Sequence, residues 1–220
     1  MRIIAIEGMN RAGKTTQARF LCETLNYGGN KAVYVHFPRY DTPIGALLKT
    51  ARDHGEYLNH ESLHLLFEAD RLDFKDQLKR FERLGYKFVI ADGWSLSNEV
   101  HAATNGVDTK WLAKVREAAP AADFTFLLDI SANESFGRLP ERNDLFKSNK
   151  MLLATSRSLY MKAAKLLQQE KAASTQIIDG TGKPEQITAL MVDHLKLAFR
   201  TELAQPEMVD GKYVRKPRAL

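Results

Sequence analysis

Gly8-Met9-Asn10-Arg11-Ala12-Gly13-Lys14-Thr15 sets two glycines, a lysine and a hydroxyl at the spacing Gly-x-x-x-x-Gly-Lys-Thr. Residues of these types at this spacing cradle the phosphates of a nucleotide. The glycines let the chain curl until successive N–H groups point inward around an anion. A helix that starts near Lys14 adds the positive end of its dipole. Lys14 would reach the β- and γ-phosphates, and Thr15 would offer its hydroxyl to Mg²⁺. Asn10, Arg11, Ala12, Gly13 and Thr16 complete the stretch expected to touch that nucleotide.

Such a loop works only between a strand and a helix, and both are written into the flanks. Arg2–Glu7 is a short β-branched run suited to a buried strand, and Ala18, Leu21, Cys22 and Leu25 recur at helical spacing behind the loop. Further strands are expected at Lys31–Phe37, after the turn Tyr27-Gly28-Gly29-Asn30, and at Tyr86–Asp92, Asp123–Asp129 and Thr175–Asp179. Helices are expected from about Pro43 to Asp53, Thr109 to Ala118, Asn133 to Leu139, Met151 to Lys171 and Pro184 to Leu203. A long amphipathic helix, broken or bent, should run from Glu61 to Leu84 with Leu63, Leu66, Phe67, Phe74, Leu78 and Phe81 as its apolar stripe. Strands alternating with helices predict an α/β fold, a parallel sheet covered on both faces.

The chain of 220 residues suits one large domain, and 44% hydrophobic with 27% charged residues suits an ordinary globular protein. No apolar stretch approaches a membrane span. The chain opens on a strand rather than a leader and has one cysteine, Cys22, so the expectation is a cytoplasmic setting without an internal disulfide. A net charge of +5 suits anionic small molecules and is too weak to demand nucleic acid. Part of the excess lies in Lys212, Arg215, Lys216 and Arg218, so 205–220 reads as a basic, solvated or loosely packed tail on a 1–204 domain.

A phosphate loop alone fits an ATPase, a GTPase or a kinase. The Asn-Lys-x-Asp stretch that reads guanine is absent, which sets GTPases aside. Phe37-Pro38-Arg39 follows the second strand, His64-Leu65-Leu66-Phe67-Glu68-Ala69-Asp70-Arg71 lies on the long helix, and Ala91–Asn98 follows the third strand. With the loop, these stretches resemble the thymidylate kinases of the P-loop nucleoside monophosphate kinase superfamily, over nearly the whole chain. The resemblance implies a three-layer fold around a five-stranded parallel sheet, a lid at about 138–150, a homodimer, and phosphate transfer from MgATP to dTMP. It implies that Arg11 bridges donor and acceptor phosphates and that Asp92 helps to hold Mg²⁺ beside Thr15. It implies an acceptor pocket with Arg39 near the phosphate, Phe67 stacked on the base, Arg71 at the base edge, and Phe37, Ser97 and Asn98 nearby. Arg138, Gly180 and Lys183 fall where the family meets adenine, and Arg142 could approach the phosphates from the lid.

Four positions depart from the family pattern. Asn10 stands where an aspartate is usual, Gly93 where an arginine binds the acceptor phosphate, His101 where an aromatic sits against the deoxyribose, and Lys147 where the lid carries an acid. Asn10 can still bond a sugar hydroxyl but brings no charge. These departures fit either dTMP with relaxed ancestry or another acceptor, such as a modified pyrimidine deoxynucleotide, free or within DNA. Drift of this kind would suit a viral or phage-like member. A non-catalytic nucleotide-binding module is the reading from another class.

Overall fold

The computed structural model describes residues 1–54, 58–138, 150–170, 174–200, 203, 207–209 and 212–214. Five parallel strands form one sheet: β1 (Arg2–Glu7), β2 (Ala32–His36), β3 (Phe88–Asp92), β4 (Phe124–Asp129) and β5 (Thr175–Asp179), in the order β2-β3-β1-β4-β5. The doubly covered α/β architecture is as expected. Central β1 pairs with β3 and β4 in registers that set Ile4 beside Ile90 and Phe124, and Ile6 beside Asp92 and Phe126.

Strand side chains alternate between faces, and the alternation decides what each face can do. One face of β1 carries Ile4 and Ile6, which pack with Ala18, Leu21 and Leu25 of α1 (Lys14–Tyr27) and Met191 and Leu195 of α8 (Pro184–Phe199). The other face sets Ile3 and Ala5 with Val89, Ala91 and Trp94 against Phe74 of α3 (His60–Arg83). Glu7 shares this second parity, and Asp92, paired with Ile6, shares the first. The carboxylates ending β1 and β3 therefore project to opposite sides of the sheet.

Four features differ from expectation. Helix α3 runs unbroken through 24 residues, capped by Asn59, whose side chain accepts from Ser62 N at 2.8 Å. Of its expected stripe only Phe74 is fully buried; Leu63, Leu66, Phe67, Leu78 and Phe81 are half-buried. Its buried face is instead polar, with His64, Glu68, Asp70 and Arg71. Second, α4 (Ser95–Thr104) is a helix not among those expected, and its N-cap, Trp94, supplies no side-chain acceptor. Third, α8 ends at Phe199 with Arg200 left-handed, short of Leu203. Fourth, the tail contains an antiparallel pair, β6 (Glu207–Val209) with β7 (Lys212–Val214). The remaining helices, α2 (Pro43–His54), α5 (Thr109–Arg116), α6 (Ala132–Gly137) and α7 (Lys150–Glu170), lie within a few residues of expectation. No helix among the described residues is long and apolar enough to cross a membrane.

Candidate active site

The phosphate loop joins β1 to α1. A Cβ on Gly8 would sit 2.6 Å from the Leu128 carbonyl oxygen, so only glycine lets the loop leave β1 beside β4. Gly13 precedes α1 in the left-handed region with no side-chain cap, which leaves the first N–H groups of the helix open to an anion. Lys14 Nζ folds back over the loop and donates to the carbonyls of Gly8 at 2.8 Å and Met9 at 3.0 Å. Burial pushes its pKa down, while Asp92 and Glu7 pull it back up.

Three donors converge on one oxygen of Asp92. Thr15 Oγ1 donates to Oδ2 at 2.6 Å and Tyr34 OH at 2.9 Å, with His36 Nδ1 at 3.1 Å. Burial of Asp92, 1% exposed, favours its neutral form, but the bonds from His36, Thr15 and Tyr34 outweigh that and hold the carboxyl below its ordinary range. Oδ1 has no side-chain partner among the described residues. A hydroxyl and an ionised carboxylate lie side by side at the mouth of the loop.

Arg11, left-handed at φ +64°, and Arg138 hold each other by the main chain. Arg11 Nη1 donates to the Arg138 carbonyl at 2.5 Å, and Arg138 Nη1 to the Arg11 carbonyl at 3.0 Å. Arg138 Nη2 also donates to the Gly180 carbonyl at 3.2 Å, and Ser135 Oγ to the Asn10 carbonyl at 2.8 Å. Neither guanidinium meets a carboxylate among the described residues, and Arg11 Nε is buried without a hydrogen-bond partner. Among the described residues both cations are bonded only to carbonyls, an arrangement that suits an anion. Ala12 is buried beneath the loop, Thr16 is exposed on the first turn of α1, and Lys183 is exposed at the N-cap of α8. Arg142, Lys147 and residues 139–149 of the expected lid lie outside the described residues.

The opposite wall comes from α3 and α4. His64, Glu68 and Arg71, spaced four and three apart, share one face of α3. Arg71 Nε donates to Glu68 Oε2 at 3.2 Å and Nη1 to the Trp94 carbonyl at 3.3 Å. Its Nη2 lies 2.7 Å from Glu68 Oε1 as an ion pair, yet no N–H of Nη2 lines up on an acceptor. Asn98 Nδ2 donates to Glu68 Oε1 at 2.7 Å and to the His64 carbonyl at 3.1 Å, and its Oδ1 meets His64 Nδ1 at 2.7 Å. Asn105 Nδ2 meets His64 Nε2 at 3.1 Å, which closes the network. His64 is held neutral by burial, and each ring nitrogen has a neighbour.

The expected contacts of this wall divide. Phe67 is half-buried, 6.0 Å from the His64 ring, with part of its surface open. Phe37 is core, edge-on to Trp94 at 4.6 Å and to Phe74 at 5.2 Å. Arg39 is 6% exposed and fully engaged: Nε donates to Asp70 Oδ1 at 2.9 Å, Nη1 to Gln77 Oε1 at 3.1 Å, and Nη2 to Asp73 Oδ2 at 2.7 Å. It thus braces the Phe37–Tyr40 segment on α3. Ser97 and Asn98 are likewise taken up within the protein, Ser97 by Glu7 and Asn98 by the α3 network. His101 lines a small cavity with Asn10, Thr104, Asn105, Ser156 and Tyr160, and burial beside Lys14 and His64 lowers its pKa to about 4. Gly93 is left-handed at φ +76°, and a Cβ there would lie 3.3 Å from the Phe37 carbonyl oxygen, so this backbone disfavours any side chain.

Sequence reading did not single out Glu7, Tyr34, His36, His64 or Asn105. The 64–68–71 spacing of polar residues on a helix with an apolar stripe was the available signal for the α3 network. Glu7 was signalled only by a charge ending an otherwise apolar strand. Asp129 and Asp179, which end β4 and β5, are taken up within the protein: Arg157 grips Asp129 through Nε at 2.7 Å and Nη2 at 2.8 Å, and Asp179 accepts from Thr181 N at 2.9 Å.

The family model for thymidylate kinase matches residues 6–191. A probable thymidylate kinase of Thermococcus kodakarensis is 32% identical over 178 residues, covering 76% of this chain and 86% of that protein. One from Thermococcus onnurineus is 30% identical, covering 84% and 92%, and a thymidylate kinase of Danio rerio is 25% identical, covering 84% and 85%. Among solved structures, the thymidylate kinase of Candida albicans superposes with a TM-score of 0.73 at 22% identity, covering 90% of this chain and 93% of that one, a likeness of fold. A phosphate loop, a carboxylate beside its threonine, a polar wall on α3 and α4, and a family match spanning all three converge on one assignment: the chain belongs to the thymidylate kinase family.

Proposed function

We propose that this chain transfers the γ-phosphoryl group of ATP to a pyrimidine deoxynucleoside monophosphate, with dTMP the first candidate. The observation that carries the reading is the buried Arg71 Nη2, which lacks an aligned acceptor. A base carbonyl seated on the open surface of Phe67 would supply that acceptor. The acceptor phosphate then falls toward Arg11 and Arg138, where buried Arg11 Nε also lacks a partner.

Lys14 would exchange its two carbonyl contacts for phosphate oxygens of ATP, at a loop whose N–H groups and helix end already favour negative charge. Thr15 and Asp92 fit Mg²⁺: both present hard oxygens, 2.6 Å apart, and Asp92 is held ionised. The ion, when bound, offsets charge on the donor phosphates. An oxygen of the acceptor phosphate attacks the γ-phosphorus, the bond to the β-phosphate oxygen breaks, and ADP leaves. That nucleophile is ionised near neutral pH, so no side chain need take a proton. Lys14, Arg11 and Arg138 neutralise charge as it spreads over the transferred group.

A second reading, a pyrimidine bearing a polar substituent, is favoured by the hydrogen-bonding lining of the cavity at Asn10, His101, Thr104, Asn105 and Ser156. In both readings residues 1–204 act as the kinase unit, with a lid at 138–150 and a homodimeric assembly in the cytoplasm. ADP release with MgATP and a panel of acceptors tests them: dTMP, dUMP, 5-substituted pyrimidine monophosphates, the remaining deoxynucleotides and a short DNA single strand. Preference for dTMP supports the first reading, and preference for a polar 5-substituted nucleotide the second. ATP binding without turnover on any acceptor would overturn both.

A further inference from the structure

We propose that Glu7 is a positioning residue that ties the acceptor wall to the phosphate loop. The first N–H groups of a helix need acceptors, and a side chain at the N-cap usually provides one. In α4 the N-cap is Trp94, which provides none. Leu96 N and Ser97 N donate instead to Glu7 Oε1, at 2.9 and 3.2 Å, and Ser97 Oγ donates to Oε2. A carboxyl group almost ninety residues upstream caps the helix, at the positive end of the helix dipole.

The location gives the cap a further consequence. Glu7 is the last residue of β1, and Gly8 behind it opens the loop that holds Lys14. A serine or aspartate at the N-cap would satisfy the same N–H groups without reference to the loop. A cap supplied from β1 fixes α4 relative to the loop. Asn98, next to Ser97 on α4, holds Glu68, the partner of Arg71, and about one turn on His101 lines the cavity beside Asn10. The chain of bonds also runs outward, because Tyr160 OH of α7 donates to Ser97 Oγ at 3.0 Å. The loop, α4 and α7 all line that cavity.

Charge is arranged to match. Glu7 is 1% exposed, with Lys14 on the donor side and Arg71 on the acceptor side as its cationic neighbours. Burial raises the Glu7 pKa, and the bonds from Ser97 and the two cations act against that rise. The cap therefore sits electrically between the two halves of the site.

The test joins hydrogen exchange with steady-state kinetics; only the kinetic arm rests on the proposed reaction. Glu7→Ala is expected to speed exchange at residues 95–98 by about tenfold, the scale of a lost cap, with β3 and α8 still protected. The KM for the acceptor should rise by about tenfold while that for ATP stays within about twofold. Glu7→Gln keeps an oxygen for the two backbone donors and should restore most of the protection and of the acceptor KM. Tyr160→Phe and Ser97→Ala, which loosen the chain of bonds without removing the carboxylate, should each raise the ratio of acceptor KM to ATP KM by about threefold; they carry the test if Glu7→Ala does not fold. An unchanged ratio in both, or equal losses for ATP and acceptor, overturns the proposal. So does unchanged exchange at residues 95–98 in Glu7→Ala, whatever the chain phosphorylates. If the wild type turns over no acceptor, the assigned reaction fails while the exchange arm still decides the cap.

Discussion

At the phosphate loop, the groups facing a ligand are mostly main-chain N–H, with one lysine resting on two carbonyls. At the acceptor wall they are side chains, and nearly all of them are held by other side chains. The loop recognises phosphate, which every nucleotide shares, so backbone geometry suffices. In the proposed reaction the wall would distinguish one base from another, and its donors and acceptors hold direction only if their own partners fix them. Substitutions should therefore act differently in the two regions: on turnover at the loop, on stability and acceptor affinity at the wall.

The largest expected effect is at the loop. Lys14→Ala should lower kcat on the order of 10³-fold and leave the midpoint of chemical denaturation almost unchanged. Glu68→Ala, at the wall, should do the reverse first. It strands Arg71, 2% exposed, as a buried unpaired cation, and should cost about 3–5 kcal/mol of unfolding free energy in urea titrations. A loss below about 1 kcal/mol would mean that Arg71 reaches solvent or another partner.

Phe67→Ala should raise the acceptor KM by about tenfold, consistent with a lost aromatic stack of about 1–3 kcal/mol, with the ATP KM unchanged. Equal changes in both would assign Phe67 to packing.

The smallest effect is a pH dependence. His101 titrates near pH 4 in the folded chain and near 6.5 when unfolded, so between those values the unfolded state binds more protons and stability climbs with pH. Asp92 adds stability that is present above the ordinary aspartate range and lost as pH falls through its depressed folded value. Glu7 opposes both: burial raises its pKa, so stability falls as pH rises from the ordinary glutamate value to its folded one. His101→Gln should flatten the slope between about pH 4 and 6.5 in thermal melts. An unchanged slope would place the titration elsewhere.

The same contrast governs how much could be read from the chain. The loop is one contiguous stretch whose spacing follows from the anion it cradles, and the five strands announce themselves by β-branched runs between turn signals. The α3 network is assembled from residues up to 41 apart, and no local pattern links Asn105 to His64. Arg39 follows Phe37-Pro38 where the resemblance sets it near a phosphate, yet Asp70, Asp73 and Gln77 each accept from its guanidinium. Helix α4 escaped detection for a related reason. Its cap is Glu7, and local sequence carries no sign of a partner on another strand.

The central claim, a shared phosphate loop facing a base-selective wall, is tested most directly by following products rather than ADP alone. Chromatography of the wild-type reaction with MgATP and dTMP, beside Lys14→Ala and Phe67→Ala, should show dTDP formed in step with ADP. Lys14→Ala should form almost none, and Phe67→Ala should recover when dTMP is raised but not when ATP is raised. ADP released at one rate with or without any acceptor, or a Phe67→Ala defect relieved by ATP, would contradict that division of the site.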